Sequence, residues 1–218
     1  LALVGRHPLP ARTEWDPWLQ RHGNEDEASR RIHLVRELET LGADVLPIVA
    51  DVTDTAALRR GVEETRRRFG ALHGVLHAAG VLDDGALQVR DVAASRRVLA
   101  PKLQGTLALH EALRGTAPDF VALFSSISAF AGLPGQFDYA AANAFLDAWS
   151  QRQFALGGSR VVSINWAPWS DVGMAASLAS ALGVSAPLTG EPTGHPLLAR
   201  RVQLNAREQA YVGSIAPE

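Results

Sequence analysis

Four polar side chains define the chemistry this sequence can do. A serine hydroxyl, Ser126, stands thirteen positions before a tyrosine, Tyr139, and the run Tyr139-Ala140-Ala141-Ala142-Asn143 places an amide one helical turn beyond the phenol. Two hydroxyls aimed at one carbonyl oxygen stabilise the charge that builds there as the carbon is reduced. A phenol with an ordinary pKa of about 10 is a poor acid–base group near neutrality, and a neighbouring ammonium favours its ionised form. Lys102 is the candidate ammonium. Asn143, at i+4 from Tyr139, shares its helix face, where an uncharged amide can hold the lysine or a relay water. Singly, each has a plainer reading: a loop serine, a half-buried packing tyrosine, a solvated helix lysine. Together they point to acid–base-assisted reduction of a ketone, assistance worth roughly 10²–10⁴ in rate.

Convergence needs a scaffold, and the apolar pattern supplies one. Leu1–Val4, Val45–Val49, Val75–His77, Phe120–Phe124 and Arg160–Asn165 read as strands. Helices are expected from Asn24, a candidate cap, to about Leu41, with Ile32, Val35, Leu38 and Leu41 on one face and Gly42 as the stop. A second helix is expected over Thr55–Phe69 behind the Asp54 cap, a third over roughly Val89–Arg114 and a fourth over Asp138–Leu156. Pro101 is expected to bend the third or start a new segment. His7–Gly23, rich in proline, tryptophan and charge, reads as a long surface excursion. The alternation of near-continuous apolar strands with helices predicts an α/β fold, a Rossmann-like doubly wound parallel sheet. Right-handed crossovers put ligand-binding groups at the carboxyl ends of its strands. Arg6, Asp51, the turn after His77, Ser126 and Pro168 all fall there.

The cofactor side is partial. Gly5 ends the first strand, and the planar fork of Arg6 just beyond it suits a 2′-phosphate, favouring NADPH over NADH. Asp51-Val52 can hold an adenine edge, or Asp51 can be a turn residue only. Ala78-Ala79-Gly80, after His77, lets the backbone approach a ribose, although a tight turn wants the same small residues. No G-x-G-x-x-G run follows a strand, so the turn that usually receives a pyrophosphate is not in this sequence. Leu82-Asp83-Asp84-Gly85 is an acidic turn that is either simply solvated or lines a substrate entrance.

Composition narrows the rest. The 218 residues, 47% hydrophobic, suffice for one sizeable α/β core. A net charge of −2, from 21 basic and 23 acidic residues, gives no support for a nucleic-acid or membrane-surface partner. The chain has no cysteine, which excludes disulfides and thiolate metal sites; no metal is expected and a reducing compartment is compatible. No apolar run approaches the ~20 residues a membrane span needs. The sequence begins at Leu1 with a strand already under way, so it is expected to be part of a longer polypeptide. Ala175–Gly194 reads as a lid or linker, and apolar alternation after it (Val202, Leu204; Tyr211, Val212) as the start of a β-rich unit.

As a set, Gly5-Arg6, Ala50-Asp51-Val52, His77-Ala78-Ala79-Gly80, Lys102, Phe124-Ser125-Ser126, Tyr139 to Asn143 and Asn165-Trp166-Ala167-Pro168-Trp169 resemble the ketoreductase domain of modular polyketide synthases, a branch of the short-chain dehydrogenase/reductases. Most of that superfamily places the lysine four residues after the tyrosine; here Asn143 stands there and Lys102 lies 37 positions upstream, which resembles the polyketide and animal fatty acid synthase pattern. The resemblance covers residues 1–174 and implies that the fold's first βα unit is missing here. It implies Tyr139 as proton donor, Ser126 as carbonyl holder, and Lys102 and Asn143 as supports of the tyrosine and the nicotinamide ribose. Pro168 and Trp169 join Gly5, Arg6, Asp51, Val52 and His77 to Gly80 as expected NADPH-binding residues. The implied substrate is a β-ketoacyl chain carried on phosphopantetheine by an acyl carrier protein, with neighbouring synthase domains as partners and the cytoplasm as location. Leu82, Asp83, Asp84, Pro134 and Gln136 are expected to control stereochemistry. Leu82-Asp83-Asp84 and Pro134, with Ala131 where A-type enzymes have tryptophan, resemble the B-type, which gives the D-configured alcohol. Asp138, before the tyrosine, departs from the asparagine common in that group, and Ala167 from a usual glycine. Residues 195–218 resemble the opening of a dehydratase hot-dog domain, without its catalytic histidine motif. The rival expectation is a ketoreductase-derived scaffold that reduces nothing; a free-standing reductase of small ketones is a third.

Overall fold

The computed structural model describes residues 1–132, 135–157, 160–167, 191–192, 194, 200–203 and 209–212. Two compact units are present, Leu1–Ala167 and Pro168–Glu218.

In the first unit the strands are β1 (Ala2–Gly5), β2 (Leu46–Val49), β3 (Gly74–His77), β4 (Phe120–Ser126) and β5 (Val161–Trp166), all paired in parallel. Hydrogen bonds join them in two blocks, β1–β2 and β3–β4–β5, and among the described residues no ladder links β1 to β3. Pairing runs from Ala2↔Leu46 to Gly5↔Val49 in the first block, and from Val121↔Val161 to Ser126↔Trp166 across β4–β5. The helices are α1 (Trp15–His22), α2 (Glu27–Thr40), α3 (Thr55–Phe69), α4 (Val92–Ala112), the short α5 (Ser128–Ala131) and α6 (Phe137–Ala155). Strand alternation sends Leu3 and Val45 to a core with Trp15, Ile32 and Val35, and Ala2, Leu46 and Ile48 to one with Leu58 and Ala108. That two-sided burial makes the sheet doubly wound. Val121 and Leu123 of β4 pack with Leu113, just past α4, and with Leu146 of α6 in a third cluster.

Three local expectations change. The stretch 7–23 is not a surface excursion: it forms a 3₁₀ turn and α1, because Trp15, 3% exposed, sinks into the core and donates its indole N–H to the Pro10 carbonyl. The cap of α2 is Asp26, whose carboxylate accepts the Ser29 N–H, whereas Asn24 pairs with His33. Pro101 lies inside one continuous α4, which starts behind the Asp91 cap. The N-cap role of Asp54, and Gly42 at φ +92° past the end of α2, match the sequence reading, and Gly70 at φ +83° closes α3 in the same way.

In the second unit, β7 (Arg200–Gln203) pairs antiparallel with β6 (Glu191–Pro192) and β8 (Gln209–Val212).

Leu146, fully buried, sets the seat of α6 on β4. Leu146→Ala is expected to cost about 2–5 kcal/mol in urea-melt stability, whereas Phe154→Ala, at a side chain 86% exposed, stays within about 0.5 kcal/mol.

Candidate active site

The carboxyl ends of β3 and β4 and the faces of α4 and α6 bring the predicted polar groups together. Lys102 projects from the middle of α4 and is 4% exposed. Its ammonium donates to the carbonyl of Phe124 at 2.6 Å and lies 5.9 Å from the centroid of the Tyr139 ring. Burial lowers the lysine pKa to about 8, against the favourable charge of Asp147. The ammonium therefore persists at neutral pH, and among the described residues two of its three N–H donors are left for other partners.

Tyr139 and Asn143 occupy the first turns of α6. The Asn143 amide donates to the Tyr139 carbonyl at 2.8 Å, one turn back. Asn143 is fully buried, and its Oδ1 has no hydrogen-bond partner among the described residues. The amide therefore does not hold the lysine directly, as one sequence-based option had it; its free oxygen is what remains for a relay.

Ser126 is the last residue of β4, two positions beyond the strand end expected from the sequence. Its Oγ lies 3.2 Å from the Ser128 backbone N–H, which it accepts, so its own proton is free to donate to a carbonyl. The preceding Ser125 turns inward and donates to the Asn143 carbonyl at 3.2 Å, tying the end of β4 to α6. Behind it Asn165 Nδ2 donates to Ser125 Oγ, the Ser126 carbonyl and Asp147 Oδ2, and Ser163 Oγ donates to Asp147 Oδ1 at 2.6 Å. Asp147 was not singled out from the sequence, although its position one turn after Asn143 was the available signal.

His77 faces inward from β3, 4% exposed, and packs toward Gly105, where a Cβ would sit 3.0 Å from Val52 and 3.6 Å from the imidazole. A larger residue at 105 would have to push Val52 aside, so the glycine eases the close approach of α4 that delivers Lys102. Burial, then the Lys102 charge, lowers the imidazole pKa to about 4, against a bond to the Pro101 backbone. Ala78 is exposed, and Ala79 and Gly80 are half-buried at the strand end.

Arg6 is exposed at the end of β1, and its charge helps hold the Asp51 carboxyl below the usual range; bonds from the Thr53 hydroxyl and N–H do more. Asp51 is thus engaged in its own turn, while Val52 is packed on Gly105. Leu82 and Asp83 are half-buried, Asp84 is exposed, and Gln136 donates to Asp84 at 2.8 Å. Pro134, Pro168 and Trp169 lie outside the described residues.

A nicotinamide dinucleotide fits these residues at both ends. Spare lysine donors and an orphaned amide oxygen lie beside Tyr139, small residues follow β3, and an exposed guanidinium follows β1. The described residues form no cluster that could hold a metal ion, and no described helix is long and apolar enough to cross a membrane.

The chain is similar to known proteins over most of its length. A family model described as the KR domain matches residues 1–171. The chain is 36% identical over 178 residues to 6-methylsalicylic acid synthase of Penicillium expansum, covering 81% of this chain and 10% of that protein. It is 39% identical over 149 residues to polyketide synthase PksM of Bacillus subtilis, covering 68% of this chain and 3% of that one. Among solved structures it is similar to a ketoreductase domain from the bacillaene assembly line, with TM-score 0.67 and 32% identity over 79% of this chain and 38% of that one. The chain thus spans about a tenth or less of these synthases and over a third of the solved domain.

The buried neutral imidazole makes stability pH-dependent. An unfolded histidine protonates near 6.5 and the folded one near 4, so its share of stability is complete above pH 6.5 and is lost as pH falls to 4. In urea melts over that window the wild type is expected to lose on the order of 3 kcal/mol more than His77→Gln.

Proposed function

Because this chain belongs to the KR domain family of modular polyketide synthases, we propose that it reduces a β-ketoacyl thioester, carried on phosphopantetheine by an acyl carrier protein, to the β-hydroxyacyl thioester with NADPH. The observation that carries this reading is the buried Lys102 ammonium, fixed on the Phe124 carbonyl beside the Tyr139 ring. Bound NADPH would supply the hydride and be left oxidised. Ser126 and Tyr139 hold the ketone oxygen by donated hydrogen bonds. As the carbonyl carbon takes the hydride, the Tyr139 O–H breaks and its proton moves to that oxygen, giving the alcohol. The Lys102 charge stabilises the phenolate left behind until solvent returns a proton. Asn143 holds the backbone of the Tyr139 turn and offers Oδ1 to that return path.

Finer features belong to the same proposal. Lys102 and Asn143 take the nicotinamide ribose, Ala78 to Gly80 line the cofactor, and Arg6, beyond Gly5, meets a 2′-phosphate. Among the described residues no ladder joins β1 to β3, and a parallel strand ending in a glycine-rich turn would complete a pyrophosphate cradle between them. Leu82, Asp83, Asp84 and Gln136 direct the substrate toward the D-configured alcohol of B-type enzymes. Residues 1–174 form the reductase region, 175–194 a lid or linker, and 195–218 the start of a dehydratase-like unit to which no dehydration is assigned. The rival scaffold reading prevails if the intact protein binds no NADPH.

In the intact protein, Tyr139→Phe is expected to lower kcat with a β-ketoacyl thioester by roughly 10²-fold or more, read as NADPH oxidation, while NADPH binding is kept; undiminished turnover would remove Tyr139 as proton donor. Arg6→Ala is expected to raise the KM for NADPH about tenfold and leave that for NADH unchanged.

A further inference from the structure

Arg90 was not singled out by the sequence and is not used in the reaction above, yet it is among the most enclosed charges of the described residues. It follows a 3₁₀ turn (Leu87–Val89) and precedes the cap of α4, with 7% of its side chain exposed. Its Nε donates to Asp138 Oδ2 at 2.9 Å, and Nη2 lies 2.8 Å from the same oxygen. On its other side Nη1 lies 3.4 Å from Asp83 Oδ1. Asp138 is 1% exposed, and its Oδ1 accepts the Tyr139 N–H at 2.9 Å, serving a backbone donor in the first turn of α6 that has no partner within the helix. Gln136, the residue at the α6 cap position, makes no capping bond of its own and spends its amide on Asp84.

Backbone geometry points the same way. The Gly85 N–H donates to the Gly135 carbonyl at 2.9 Å. A Cβ on Gly85 would meet Arg90 Nη1 at 3.1 Å, and one on Gly135, already at φ +78°, would meet the Gly85 backbone at 3.5 Å. Gly85 therefore leaves the space that the guanidinium fills, and Gly135 supplies the left-handed backbone beside it. Three side-chain links and one backbone bond join a turn to a helix start about fifty residues away.

We propose that Arg90 and Asp138 are positioning residues, whose buried ion pair clasps the 82–85 turn to the first turn of α6 and so sets the angle at which an acyl substrate reaches Tyr139. The substrate half of this inference rests on the reductase reading; the clasp itself does not. Asp138 supplies the charge that makes the clasp ionic. Arg97, 3.3 Å from Asp83, braces the turn only from the solvent side, so the enclosed Arg90 bears the link.

The test uses the intact protein and the double variant Arg90→Met with Asp138→Leu, which replaces both charges and strands neither. Hydrogen–deuterium exchange of residues 82–85 and 135–139 is expected to quicken roughly tenfold, with β4 unchanged. With a β-ketoacyl thioester, the KM for the thioester is expected to rise about tenfold, kcat and the KM for NADPH to stay within about twofold, and the minor alcohol enantiomer to increase. Arg90→Lys, keeping the charge without the fork, is expected to restore part of the exchange protection. If the double variant unfolds, Gly85→Ala, which crowds the guanidinium without removing a charge, is expected to quicken exchange in the same two segments. Wild-type exchange rates in the folded double variant, or in Gly85→Ala where that serves, overturn the clasp. Faster exchange with an unchanged thioester KM and enantiomer ratio overturns its role in substrate approach. A wild-type protein that reduces no thioester defeats the reductase reading alone, since exchange still reports on the clasp.

Discussion

A buried ammonium must be given a partner, and the site is arranged around that requirement. Lys102 has left water almost completely, and one short bond to the Phe124 carbonyl offsets part of the cost. That bond fixes the distance between α4 and the carboxyl end of β4. It is reachable because Gly105, one turn along α4, has no side chain to hold the helix away from Val52 and His77. The same closeness keeps the imidazole neutral, since a second positive charge there would have neither water nor a counter-ion.

A second layer holds the first. Asp147, Ser163, Asn165 and Ser125 form a continuous hydrogen-bonded chain from β5 to the Asn143 carbonyl on α6. It pins the helix carrying Tyr139 to two neighbouring strands at once, and it places a carboxylate where it favours the Lys102 charge. Lys102, Tyr139 and Asn143 stand on two helices and Ser126 on a strand, not on loops, and polar partners hold the lysine and the amide. The charged depression lined by Arg12, Glu39, Asp44 and Arg68 lies at the start of β2, remote from this chemistry, and its ions are largely paired with one another.

Much of this was legible in the sequence. The strands, the helices over 55–69 and 137–155 and the topological rim follow from apolar periodicity, because burial imposes that period locally. Asp54 at a helix start and Gly42 and Gly70 past helix ends could be read because capping is decided within four residues. The stretch 7–23 could not: its proline, charge and tryptophan content looks solvent-facing until Trp15 finds a core built by residues 32, 35 and 45. Pro101 likewise breaks a helix on propensity alone, but α4 is held on its core side by Ala94, Val98, Ala108 and Ala112, and packing outweighs one lost backbone bond.

The sequence by itself determined which groups this protein can bring to bear, a phenol, a hydroxyl, an amide and an ammonium, and the rim of the sheet where they fall. Those are properties of residue type and of spacing along single elements. Tertiary structure alone decided what each group is bonded to: Lys102 to a carbonyl 22 residues away, Asn143 back to its own helix, Arg90 to a carboxylate 48 residues on. Such pairings depend on how closely elements distant in the chain approach, and that distance is set by the packing of whole faces, which no local pattern encodes.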